Sequence, residues 1–194
     1  MPPPPLRLVV QAGLRGAFML ARGQAHGLML VEESPQGAAR SFWAAAICLP
    51  GFLALRLLAW SAGGPPARGV GFALAAELVG YAIAWAGFAL ASHALAQAAG
   101  RTKEWPHFLA AWNWGNVVQY TVLVALTLPA ALGLPDFLAY GLGLAAFGYA
   151  LWLEWFIARQ ALRIGAGRAM VFVLLDLLLG VFIGGFVAKL TGGG

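Results

Sequence analysis

Apolar residues along this chain fall into five long runs, separated by short stretches that hold much of the charge and the turn-forming residues. The runs cover about 41–60, 70–98, 107–132, 137–158 and 169–188. A helix needs about 20 apolar residues to cross a bilayer core of about 30 Å, and each run meets that length. The second is long enough to tilt. Gly63-Gly64-Pro65-Pro66 and Gly133-Leu134-Pro135-Asp136 read as turns. Arg101-Thr102-Lys103-Glu104-Trp105-Pro106 closes the second run, and a basic loop with Arg159, Arg163 and Arg168 separates the last two. Pro50 is expected to kink the first span.

The segment before these runs has a different pattern. Pro2–Pro5 form a short stiff leader without the features of a signal peptide. Residues 6–22 read as an amphipathic helix. At about 100° per residue, Arg7, Gln11, Arg15 and Arg22 share one narrow stripe, and Leu6, Val9, Val10, Leu14, Phe18 and Leu20 fill the rest. Arginine at the polar edge, with no acid, suits an anionic membrane surface, a reading preferred over docking on a partner protein. Gly13, Gly16 and Gly23 weaken the helix. Residues 28–35 read as a break. The predicted fold is therefore all-α: residues 1–39 as a leader with a surface helix, 40–190 as a five-span transmembrane bundle, and 191–194 as a tail.

Composition sharpens this picture. Of 194 residues, 61% are hydrophobic and 10% charged, too few charges to clothe a soluble domain of this size. The net charge of +5 does not point to nucleic acid, because the basic residues sit between apolar runs rather than on a polar face. Cys48 stands alone inside a run, so it forms no intrachain disulfide and belongs to no metal-ligand pattern. Nine of the twelve basic residues fall on one side if the N-terminus is inside: Arg7, Arg15, Arg22, Arg40, Arg101, Lys103, Arg159, Arg163 and Arg168. The expectation is a multi-pass inner-membrane protein with a cytoplasmic N-terminus and a periplasmic C-terminus. Trp43, Trp60, Trp105 and Trp155 near span ends match an aromatic belt.

Four segments carry a resemblance. They are Arg40-Ser41-Phe42-Trp43-Ala44-Ala45, Ala111-Trp112-Asn113-Trp114-Gly115-Asn116-Val117-Val118-Gln119, Trp155-Phe156-Ile157-Ala158-Arg159-Gln160-Ala161-Leu162, and Leu175-Asp176-Leu177-Leu178-Leu179-Gly180. In this order, over about residues 6–190, the chain resembles small bacterial inner-membrane proteins of alphaproteobacterial type, grouped with the Yip1-like membrane proteins. The resemblance implies a cytosolic N-terminus, five spans and no catalytic residues. The eukaryotic members act in vesicle trafficking and membrane shaping. Their polar signature is missing here, so the resemblance carries only fold and a non-enzymatic role.

Ionisable residues within spans are costly and invite a functional hypothesis. Arg56 and Glu77 stand at similar depth on either side of the first turn, and an ion pair between them is the preferred reading. Snorkelling of Arg56 and a ligand role rank behind it. Asn113, Asn116, Glu154 and Asp176 fall at comparable depth in the cytoplasmic half and are expected to meet in one layer, with the asparagine amides donating to Asp176. The bland reading is interhelical hydrogen bonding, and the sharper one is a proton or cation site open to the cytoplasm. Gly180 with Gly184, and Gly141, Ala145 and Gly148, form small-residue stripes that permit close helix approach. No nucleophile constellation, metal-ligand spacing or phosphate loop appears, so neither catalysis nor a cofactor is expected. The first functional expectation is an organiser or scaffold acting on lipid and partner helices, either a second copy or another membrane protein. The alternative is a small oligomeric transporter or channel built on the polar layer.

Overall fold

The computed structural model describes residues 5–192; the leader at Pro2–Pro4 and the last two residues of the tail lie outside them. Among the described residues the regular structure is helical throughout, with no strand. Seven α-helices follow in order: α1 (Leu6–Leu20), α2 (Pro35–Ser41), α3 (Trp43–Gly63), α4 (Val70–Ala98), α5 (Trp105–Ala131), α6 (Asp136–Ala161) and α7 (Ala166–Thr191). A 3-10 turn, Ala25–Leu30, lies between α1 and α2.

Four stretches are long and apolar enough to cross a membrane: Pro35–Gly63, α4, α6 and α7. The chain is therefore a multi-pass membrane protein. Large apolar side chains such as Leu90, Leu178 and Phe182 stand exposed, as a lipid-facing surface requires. The second run and α4 share the same bounds, 70–98. The first span differs from expectation because helix begins at Pro35, ahead of 41. Ser34 accepts a hydrogen bond from the Gly37 N–H at 2.9 Å, and Pro35 occupies the first helical position, where its missing N–H costs nothing. α3 runs on through Pro50. α5 is as long as its neighbours but is not one of the four apolar stretches. Asn113, Asn116, Gln119, Tyr120 and Thr121 lower its hydropathy.

The five long helices form a ring. α3 packs on α5, α5 on α6, α6 on α7 and α7 on α4. Side chains close the last gap, between α4 and α3. Tyr81 Oη donates to the Ala45 carbonyl at 2.7 Å, and the Tyr81 and Phe52 rings lie 4.7 Å apart. Around one end, α1, the 3-10 turn and α2 form a collar on the first half of α5. That explains why every residue from Phe108 to Gly115 is buried, whereas the second half of α5 is largely bare. His107 ties the collar down, with Nε2 3.0 Å from the Leu28 carbonyl and Nδ1 3.5 Å from Glu33.

The glycines that lower the helix propensity of α1 are part of its contact face. Gly13, Gly16, Ala17 and Leu20, spaced i, i+3, i+4, i+7, make a buried stripe. A Cβ on Gly13 would overlap the Trp114 indole, and one on Gly16 would stand 2.7 Å from the Gly27 carbonyl oxygen. Gly13→Ala should therefore displace Trp114 and cost about 1–3 kcal/mol, read as a lowered melting temperature in detergent. Gly141 has open space around it, and Gly141→Ala should gain up to about 1 kcal/mol from helix propensity alone. Equal shifts for the two variants would contradict a tight α1–α5 seam.

Candidate functional site

The ring encloses polar groups that no single helix accounts for. α5 contributes Asn113, Asn116, Gln119 and Tyr120, α6 contributes Glu154, and α7 contributes Asp176. α3 adds Arg56 towards the end away from the collar. These residues line a cavity with two lobes of about 160 and 410 Å³. Asn116, Tyr120, Asp176 and Gly180 border both lobes, which therefore lie side by side.

Glu154 is 6% exposed and has one donor. Gln119 Nε2 lies 3.2 Å from Glu154 Oε1 and also 3.2 Å from the Ala150 carbonyl, which fixes the amide in the α5–α6 seam. Glu154 Oε2 is buried and meets no donor. Asp176 lines the same lobe, near enough for the charge on one carboxyl group to bear on the other. Two ionised carboxylates offer each other no donor and repel. A proton or a cation between them removes that repulsion.

The asparagines do not supply the donors expected of them. Asn113 Nδ2 donates to Ser41 Oγ at 2.8 Å, and Ser41 in turn donates to the Ala38 carbonyl at 2.6 Å, so this amide pins α2 to α5. Asn116 Nδ2 donates to the Trp112 carbonyl of its own helix at 3.1 Å. Both asparagines still line the cavity beside Asp176. Gln119, the donor to Glu154, was not among the expected site residues. Its spacing is the signal for it: Asn116 and Gln119 are i, i+3 and share a helix face.

Aromatic rings crowd the collar end of the smaller lobe. Phe88 stacks on Trp112 with centroids 4.4 Å apart, Phe108 lies 5.3 Å from Trp112, and Phe172 lies 5.2 Å from Phe108. All four rings are buried and form an aromatic plug where α4, α5 and α7 meet. Towards the other end the larger lobe is walled by Phe52, Leu55, Leu123, Phe147 and Val181. Arg56 Nε stands 3.3 Å from Glu77 Oε2, and its guanidinium lies 5.4 Å from the Phe52 ring centroid. Glu77 is the more buried partner, at 13% against 41% for Arg56. Arg7 and Arg15 are exposed on α1 and Arg22 just after it, with Arg22 stacked 4.0 Å over Phe18. Among the described residues, no three His, Cys, Asp or Glu side chains come together to hold a metal ion.

No family model, curated protein or solved structure matches the chain.

Proposed function

We propose that this is a five-span inner-membrane protein that takes a cation or a proton onto the Glu154–Asp176 pair and carries it across the bilayer. The observation that supports it is the buried Oε2 of Glu154, without a donor among the described residues, beside a second carboxyl group that lines the same cavity. An uncompensated buried acceptor costs about 1–3 kcal/mol, so keeping one makes sense where a ligand supplies the missing partner.

In this reading α5 is the fifth span. A four-residue turn separates it from α6, and it packs antiparallel along α6, from the Gln119–Glu154 contact to the close approach of Gly115 and Ile157. A helix of 27 residues is about 40 Å long by its rise. If α6 crosses the bilayer, α5 crosses beside it. The collar end is cytoplasmic, because Arg40, Arg101, Lys103, Arg159, Arg163 and Arg168 gather there. A cysteine placed at Gly165 should label from the cytoplasm, and one at Gly64 only from the periplasm. Native Cys48 is buried and should stay silent. The reverse pattern would overturn the orientation.

The carboxyl pair is tested with a membrane-soluble carbodiimide. It should form one adduct, at Glu154 or Asp176, and millimolar cation should suppress the adduct if the ligand is not the proton. Modification elsewhere alone would remove the site, and an adduct at the pair that no added cation suppresses would leave the proton as its ligand.

The second reading is the Yip1-like, non-enzymatic organiser. It is favoured by the exposed Leu6, Leu8, Phe18 and Met29 beside Arg7, Arg15 and Arg22, which have no acidic partner among the described residues. Such an edge suits anionic lipid headgroups.

A further inference from the structure

We infer that the cation this cavity takes is a small organic ammonium carrying an aromatic or apolar group, rather than a bare ion. The inference rests on the cation-binding reading above and names the class of its ligand.

The cavity's size points this way. The larger lobe alone, at about 410 Å³, falls within the range of small-molecule pockets, roughly 300–1,000 Å³. A bare ion needs a compact shell of oxygens at about 2.0–2.6 Å and no such volume.

The lining points the same way. Glu154 and Asp176 put carboxyl groups on one wall, and Glu154 Oε2, buried beneath it, has no donor among the described residues, a place an ammonium N–H can fill. Trp85, Phe88 and Trp112 face the smaller lobe, Phe52 and Phe147 the larger, and Tyr120 both. Aromatic faces attract cations and also cover the apolar body of an organic ligand. The charges agree. Arg56, the one basic residue on the lining, already pairs with Glu77 and leaves the two inner carboxyl groups to favour a cation. The amide of Asn116 stands at the junction of the lobes, where it can accept from or donate to a polar substituent.

An ammonium with its nitrogen between Glu154 and Asp176 can place an attached ring in either lobe. Trp85, half-buried beside the Phe42 and Tyr81 rings, borders the smaller lobe and can pack on it there. A phenethylammonium ion has the required parts: three N–H donors, a two-carbon arm and one ring.

The test uses the full-length protein in lipid nanodiscs with phenethylammonium chloride, read by calorimetry. 2-Phenylethanol, which keeps the ring and arm but has no charge, is the comparison. The ammonium should bind at least about tenfold more tightly than the alcohol, since a charged hydrogen bond is at stake. Glu154→Gln and Asp176→Asn should each remove most of that preference. Trp85→Leu should weaken phenethylammonium several-fold while leaving methylammonium unchanged. The comparison of the two ligands on the unmodified protein needs no variant to fold. Equal binding of ammonium and alcohol, or binding indifferent to both carboxyl substitutions, overturns the inference. Cation flux or carbodiimide protection by sodium or potassium without any phenethylammonium binding also overturns it, while the cation-site reading stands. Ammonium binding without flux upholds the ligand class and removes only the carrier role.

Discussion

Replacing Glu154 by Met and Asp176 by Leu in one protein should raise its melting temperature and abolish cation uptake. Removing buried ionisable groups in favour of apolar side chains of similar size often stabilises by about 1–4 kcal/mol, because their desolvation is never fully repaid. Here the case for such a gain is strong. Among the described residues Gln119 is the only donor to Glu154, and Oε2 has none. The double variant removes the repulsion and the orphan acceptor together. It also strands the Gln119 amide, which keeps its bond to the Ala150 carbonyl and so loses little. A more stable protein without uptake is what a site maintained for binding predicts. A clear loss of stability would instead make the two carboxyls structural ties. The measurement is thermal unfolding in a fixed detergent, with uptake measured on the same preparation.

Arg56→Ala should destabilise the protein by about 2–4 kcal/mol, and more than Glu77→Ala does. The asymmetry follows from exposure. Removing Arg56 leaves the carboxylate of Glu77, 13% exposed, without its cation. Removing Glu77 leaves a half-exposed guanidinium that can turn towards the headgroups. Arg56 also lies over the Phe52 ring, so its loss removes packing as well as charge. Replacing both residues by neutral side chains of similar length should cost less than the two single losses added together. Additive losses in that cycle would mean the two charges do not interact.

The span pattern was legible because lipid demands it: a helix in hydrocarbon must be long and apolar, and hydropathy alone bounds α4 at Val70–Ala98. The start of α2 was legible too. Ser34 followed by Pro35 is a helix N-terminus in its own right, although the apolar run begins only at about 41. The polar layer was only half legible. Counting residues from span ends gives depth and leaves rotation about the helix axis undetermined. Depth brought Asn113 towards Asp176, but the α5 face carrying its amide turns to Ser41, and Gln119 takes the seam towards α6. In α1 the sequence shows the arginine stripe and the low helix propensity of the glycines, but not their packing. Gly13 lies against Trp114, about a hundred positions away, and Gly16 against the 3-10 turn. The aromatic plug had no sequence signal, since Phe88, Phe108, Trp112 and Phe172 meet from three helices.

The central claim is that the Glu154–Asp176 pair moves a cation through the bundle. Its most direct test is flux into proteoliposomes under an imposed membrane potential. Protons are followed with a trapped pH dye, and sodium, potassium and phenethylammonium with radiolabel. The account predicts potential-driven uptake of at least one of these by the unmodified protein, reduced to the level of protein-free vesicles by Glu154→Gln. Flux no greater than protein-free vesicles for all four, from protein shown to be folded and inserted, would contradict it and leave the membrane-organising reading in its place.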